Sequence, residues 1–193
     1  MDTSSSIASI RLTTPFDPAA LRALRCGDRV LLCGIIYAAR DAAHKRMIET
    51  LNRGQTLPVD LRGQCVYYVG PTPAPPGRVI GSAGPTTAGR MDAYTPSLLE
   101  QGMLGMIGKG SRSPVVLEAL RRHGAVYFAA TGGAGALLAR HITSHRILAY
   151  PELGPEALAE LGVQDFPVIV AGDSRGNDLY EEGRKPYQTI WPT

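Results

Sequence analysis

Residues 29–54 read RVLLCGIIYAARDAAHKRMIETLNRG, and the fold class turns on how this stretch divides. The first part, 29–38, is apolar and β-branched with Gly34 in its middle, the pattern of a buried strand. From 39 to 54 the period changes. Ala39, Ala43 and Met47 fall at i, i+4 and i+8 as one apolar helical stripe, and Gly54 supplies the stop. A buried strand running directly into an amphipathic helix opens an α/β unit.

Working outward, the same grammar recurs. IRLTTP (10–15) reads as a strand, and 17–27 as a short helix with Asp17 as N-cap, Pro18 at its first position and Gly27 beyond its end. Strands are expected at 64–70, 78–84, 103–110, 125–133, 146–150 and 166–173. Helices are expected at 94–102, 114–124, 134–142 and 155–162. PTPAPPG (71–77), with four prolines, is a rigid extended connector, and SRGNDLY (174–180) a turn leading to an edge strand. The expectation is one α/β domain over 10–185 with a mixed, partly parallel sheet, a disordered N-terminus over 1–9 and an irregular tail over 186–193.

Composition narrows the function. The 193 residues carry a net charge of +3, from 20 basic and 17 acidic side chains, with no basic block interleaved with aromatics; this argues against nucleic acid. Cys26, Cys33 and Cys65 are odd in number and form no CxxC pair, which argues for reduced thiols and against a disulfide framework or a metal site on this chain. MDTSSSIASI lacks the basic region of a secretory signal, and no apolar run approaches membrane-spanning length, so a cytoplasmic protein is expected.

Three glycine-flanked loops follow expected strands: GSAGPTTAGRMD (81–92), GKGSRS (108–113) and TGGAG (131–135). In open α/β sheets such strand ends gather ligands, and backbone N–H groups there face anions. None has the spacing of a nucleotide fingerprint. Thr86, Thr87 and Arg90 fall within five residues, Lys109 lies between two glycines, and Arg40 and His44 sit one helical turn apart. Several guanidinium forks suit a small dicarboxylate. Arg40 reads equally well as an exposed helix charge, and His44 taken alone reads as structural. Asp173 and Asp178 read as local turn hydrogen bonding. Anion-gripping groups without a metal set or an acid/base pair suggest half of a site.

At this point the motifs resemble a known family. GPTTAGRMDAYTPSLLEQGMLGMIGKG (84–110) resembles the β subunit, or C-terminal domain, of the iron–sulfur class I fumarases, with a looser likeness to L(+)-tartrate dehydratase β subunits. The stretches 13–47, YYVGPTPAPPG (67–77), YFAATGGAGALLA (127–139) and 149–180 extend the likeness to about 10–185. The resemblance implies a swivelling β/β/α three-layer domain and reversible hydration of fumarate to L-malate. It implies a 4Fe-4S cluster bound by a partner α subunit and not by this chain, in a heterodimer or heterotetramer, and a small dicarboxylate substrate. By motif, Thr86 matches the base that takes the C3 proton. Arg40 and Arg90 match substrate-carboxylate-binding arginines, Lys109 a substrate-binding lysine of the same pocket, Thr87 is the base's neighbour and also substrate-binding, and Asp41, His44 and Asp92 stand behind them. A tartrate dehydratase β subunit, converting tartrate to oxaloacetate, and a non-catalytic dicarboxylate-binding module are the alternative readings.

Overall fold

A computed structural model describes residues 9–188; residues 1–8 of the expected disordered N-terminus and the end of the expected tail lie outside that range. The strands are β1 (Ile10–Thr13), β2 (Arg29–Ala38), β3 (Cys65–Tyr67), β4 (Gly105–Gly108), β5 (Val126–Ala129), β6 (Ile142–Ala149) and β7 (Leu158–Gly172). The helices are α1 (Pro18–Ala23), α2 (Asp41–Asn52), α3 (Thr95–Glu100), α4 (Pro114–His123), α5 (Gly135–Leu138) and α6 (Leu179–Arg184). Short 3₁₀ segments follow at Ala88–Met91, Ala139–His141, Pro151–Glu156 and Lys185–Tyr187.

One sheet takes in all seven strands in the order β1-β2-β3-β4-β5-β7-β6, and β7 also pairs with β2. Strands β1 to β5 pair in parallel, whereas β7 runs antiparallel to β2, β5 and β6. The circuit β2-β3-β4-β5-β7-β2 therefore closes on itself. β7 makes closure possible by its length: it holds β2 along one edge, while β6 and then β5 share the other.

The closed sheet separates two apolar clusters by the strand alternation. Leu32, Tyr67, Ile107, Phe128 and Phe166 point inward, and α1 and α5 add Leu21 and Leu138 to that interior. Val66, Tyr68, Met106 and Tyr127 point outward, where α2, α3 and α4 cover them with Met47, Leu98 and Leu120. The result is two β layers and a helical layer on one side, the architecture implied by the resemblance. Each fully buried Leu or Phe contributes about 1.5–3 kcal/mol to this packing. Gly34 sits at φ 102° where β2 shifts register, and a Cβ there would meet the Thr14 carbonyl at 2.8 Å, so only glycine fits.

Three expectations are corrected. Residues 155–162 are not a helix: the 3₁₀ segment Pro151–Glu156 ends and β7 begins at Leu158. PEALAEL has helical propensity, but pairing on both edges overrides it. The expected strand 78–84 is irregular: it joins no ladder, its Ser82 carbonyl and Ala83 N–H make isolated backbone bonds to Thr72 and Gly135, and a single Val69–Pro85 bridge lies beside it. The DSRGND turn leads to α6 and not to an edge strand, because Asp178 caps it by accepting from the Tyr180 N–H at 2.9 Å.

Candidate functional site

Parallel strands β2, β3, β4 and β5 all end on one side of the sheet, at Ala38, Tyr67, Gly108 and Ala129. The segments leaving these ends carry every residue singled out by sequence. Close glycine contacts pull them together. Gly84 packs on Gly135, where a Cβ on the latter would meet the Gly84 nitrogen at 2.8 Å, and the Lys109 stem passes 3.5 Å from where a Gly132 Cβ would lie. The Ala83 N–H donates to the Gly135 carbonyl at 3.1 Å.

The threonine loop is fixed by its backbone. The Thr86 N–H donates to the Tyr68 carbonyl (2.8 Å), the Lys109 N–H donates to the Thr86 carbonyl (3.1 Å), and the Ala88 N–H donates to the Lys109 carbonyl (2.8 Å). Thr86 and Lys109 are thus tied into one short ladder, with Thr86 half-buried and Thr87 and Lys109 exposed. After it the 3₁₀ turn Ala88–Met91 brings Arg90 back toward α2.

At the start of α2 the charges converge. Arg90 donates from Nε to Asp41 Oδ1 at 2.7 Å. Asp41 Oδ2 stands 3.6 Å from Arg40 Nη2, and Glu156 Oε1 stands 3.2 Å from the same nitrogen. Glu156 Oε2 accepts the Ala42 N–H at 3.3 Å. Arg40 is the N-cap of α2 and makes no side-chain cap hydrogen bond, so Glu156 supplies from 114 residues away an acceptor for this helix end. Gly70 makes room for the arginine: a Cβ there would lie 2.9 Å from Arg40 Nη1.

His44 lies one turn further along α2, fully buried beneath Tyr68 and Tyr94. Its Nδ1 is 2.8 Å from the Arg40 carbonyl, which can only accept, so Nδ1 carries the proton and Nε2 is a bare acceptor. Burial above all pushes its pKa down to about 4, with the Arg112 charge adding to the effect, so the ring is neutral near pH 7.

Four buried side-chain atoms lack a hydrogen-bond partner among the described residues: Arg40 Nε, Asp41 Oδ2, His44 Nε2 and Gln64 Oε1. Three of the four fall within residues 40–44. Native chains satisfy nearly all such groups, so this concentration marks a place built for something other than stability.

Asp92 belongs to a different network. Arg112, with its side chain 0% exposed, donates from Nε to Asp92 Oδ1 (2.7 Å) and from Nη2 to Thr95 Oγ1 (2.7 Å). Asp92 Oδ2 accepts the Ser113 N–H at 2.7 Å. The Arg112 guanidinium lies 5.4 Å over the Tyr68 ring and 5.1 Å over that of Tyr127. This buried cross-link fastens the 81–92 loop to the 108–113 loop. Sequence reading missed Arg112, Glu156 and Gly70 as parts of the site. Arg112 was visible only as one more charge in GKGSRS, and Glu156 reaches the site through a contact without local pattern.

The cysteines do not meet here. Cys65 is inside the sheet, Cys26 lies beside the Ala171 and Asn177 carbonyls, and Cys33 accepts the Asp165 N–H. Burial pushes the Cys65 thiol far up and, with Asp173 nearby, the Cys26 thiol to about 11, so both stay protonated. Among the described residues no three His, Cys, Asp or Glu side chains group to hold a metal ion. The thiols of this chain do not fit an iron–sulfur cluster. Nor, among the described residues, is any helix long and apolar enough to cross a membrane.

Comparison with known proteins gives a consistent picture. Residues 1–183 match the family model described as the fumarase C-terminus. The aerobic class I fumarate hydratase of Escherichia coli is 42% identical over 156 residues, covering 80% of this chain and 28% of that protein. Fumarate hydratase 2 of Leishmania major is 38% identical over 183 residues, 93% of this chain and 32% of that protein. A Methanocaldococcus jannaschii protein named "Putative L(+)-tartrate dehydratase subunit beta" is 39% identical over 177 residues, 88% of this chain and 91% of its own length. The chain thus spans about a third or less of the two fumarate hydratases and nearly the whole of the subunit.

Proposed function

The chain belongs to the fumarase C-terminus family, and from that premise we propose that it is the β subunit of a hydro-lyase interconverting fumarate and L-malate. On this reading the 4Fe-4S cluster, a Lewis acid toward the substrate when bound, resides on a separate α subunit, since the thiols here do not fit it. The observation that carries the reading is the cluster of unpartnered buried polar atoms at residues 40–44, beside two arginines at the carboxyl ends of parallel strands.

This chain's share of the work is to grip and to move one proton. Arg90 uses Nε on Asp41, so its half-exposed terminal nitrogens are left for a substrate carboxylate. Arg40, 23% exposed at its side chain, binds the second carboxylate. On this reading Thr86 takes the proton at C3. A threonine hydroxyl is a weak base unaided, and the Lys109 and Arg90 cations beside its loop are the groups that lower its cost of deprotonation. The exposure of Thr87, Arg90 and Lys109 supports a wall of a site that a second polypeptide completes.

Co-expression with the α subunit and replacement Thr86→Ala tests the assignment. Loss of about 10²–10⁴ in kcat with malate still bound is expected of a removed base. Full turnover in that variant would remove Thr86 from the role. Tight malate binding and no turnover with any partner would instead favour a dicarboxylate-binding module. The M. jannaschii relative, alike in length, supports tartrate as a second substrate reading, and assay of the assembled pair on both acids decides between them.

A further inference from the structure

We propose that Glu156 is a positioning residue for substrate binding: it fixes the Arg40 guanidinium and, through the same carboxylate, the start of the helix that carries it. The inference rests on the reading that Arg40 receives a substrate carboxylate, and deepens it.

Three observations meet at this side chain. Glu156 Oε1 is 3.2 Å from Arg40 Nη2. Its Oε2 accepts the Ala42 N–H at 3.3 Å, so one carboxylate addresses both the arginine and the end of α2. It is held there by a specialised turn. The 3₁₀ segment Pro151–Glu156 begins after Tyr150, at φ 58°, and contains Gly154 at φ 57° with non-helical backbone. The Pro155 carbonyl lies 3.4 Å from where a Cβ on Gly70 would sit, so the turn also packs on the glycine that makes room for Arg40. A left-handed non-glycine residue is uncommon and costs free energy, which is consistent with a turn retained for what it delivers.

The chemistry explains the need. Arg40 has five N–H donors, and its Nε is buried without an acceptor. Its long stem would sample several rotamers if nothing held the head. Asp41 is already committed to Arg90 and reaches Arg40 only at 3.6 Å. Glu156 is therefore the nearer anchor, and it meets the guanidinium at Nη2, leaving the other donors of the fork to a ligand. Charge supports this division: Arg40, Arg90 and Lys109 outnumber Asp41 and Glu156, so the site remains attractive to a dianion with both anchors in place.

The test uses the assembled enzyme with malate as the probe, comparing Glu156→Gln, Arg40→Lys and the double variant. Glu156→Gln keeps an acceptor and the side-chain size but loses the charge. It is expected to raise KM about fivefold with kcat changed less than about twofold, the order expected for losing a partly exposed ion pair. The double variant should be no worse than Arg40→Lys alone, because both remove one interaction. A purely structural cap would lower the unfolding temperature, leave KM in place and add to Arg40→Lys. In the isolated full chain, faster solvent exchange of the Arg40 Nε–H is expected in Glu156→Gln. If Arg40→Lys raises KM and Glu156→Gln leaves it unchanged or lowers it, the positioning role is overturned and the substrate reading stands. If neither variant raises KM, the reading of Arg40 as a substrate residue fails, and the positioning role with it.

Discussion

Asp41 accepts the Arg90 Nε–H at 2.7 Å while its other oxygen faces Arg40 Nη2 at 3.6 Å, so one carboxylate links two arginines from different elements. Asp41 is the first residue of α2, where a negative charge is also favoured by the helix dipole. Its replacement by Asn keeps the size and removes the charge. Asp41→Asn is expected to raise KM for the dicarboxylate by about tenfold while the fold persists. Steady-state kinetics on the assembled enzyme measures this, and an unchanged KM would show that Arg90 needs no tether.

Gly70 and Gly108 separate a site effect from a fold effect. Neither has a positive φ, so alanine is allowed by the backbone at both. At Gly70 the new methyl would lie 2.9 Å from Arg40 Nη1 and 3.0 Å from its Cδ, both on a side chain that can swing away. At Gly108 it would meet Ala88 Cβ at 2.9 Å and the Tyr68 ring at 3.0 Å, inside packed structure. Gly70→Ala should raise KM with little loss of stability. Gly108→Ala should cost about 1–3 kcal/mol of stability in chemical denaturation. The reverse ranking would mean that the Arg40 pocket is the more rigid of the two.

The parts that were legible in sequence were local. RVLLCGIIYA spans the same ten residues as β2, and the Pro114 start and Gly124 stop bracket α4 to within a residue. The 108–113 and 131–135 loops do follow strand ends, because hydrophobic run, glycine and helix start are all short-range signals; the 81–92 loop reaches the same side without the strand expected before it, through the Thr87–Lys109 bridge. What escaped depends on distant partners. Residues 158–162 become strand because β2 and β6 flank them, and nothing within LAELG announces those edges. Asp92 carries a motif position, yet its role is set by Arg112, which lies on another loop. Closure of the sheet by β7 follows from pairing topology, which no window of sequence contains.

The Arg112–Asp92 pair should matter more for stability than for binding. The Arg112 side chain is 0% exposed and that of Asp92 17%. Removing one partner of a buried pair leaves an uncompensated charge and costs about 3–5 kcal/mol. Arg112→Met fits between the Tyr68 and Tyr127 rings but strands Asp92, so a loss toward the lower end of that range is expected, because Asp92 keeps some contact with water. The double variant Arg112→Met, Asp92→Asn should recover part of it. Urea unfolding of wild type, the two single variants and the double variant gives the coupling, and a double variant no more stable than Arg112→Met would argue that the aromatic stacking, not the ion pair, holds the loops.

His44 predicts a specific pH dependence. Burial lowers its pKa to about 4 in the folded chain, against about 6.5 for an unperturbed histidine. Between these values the unfolded chain takes up a proton that the folded chain refuses. Stability contributed by the neutral ring is thus complete above pH 6.5 and is lost as pH falls toward 4. The full loss is on the order of 3 kcal/mol, since every tenfold difference in proton affinity between the folded and the unfolded chain is worth about 1.4 kcal/mol. Other groups titrate over part of the same range: salt-bridged carboxylates such as Asp60 and Glu118 are also held low. They are common to wild type and His44→Gln, so the difference between the two stability curves isolates the ring. The amide of glutamine can still donate to the Arg40 carbonyl without titrating. The curves should diverge below about pH 6.5, with wild type losing stability faster as pH falls. Parallel curves from about pH 7 to 4 would mean that His44 is reached by water and charges as freely as a surface histidine.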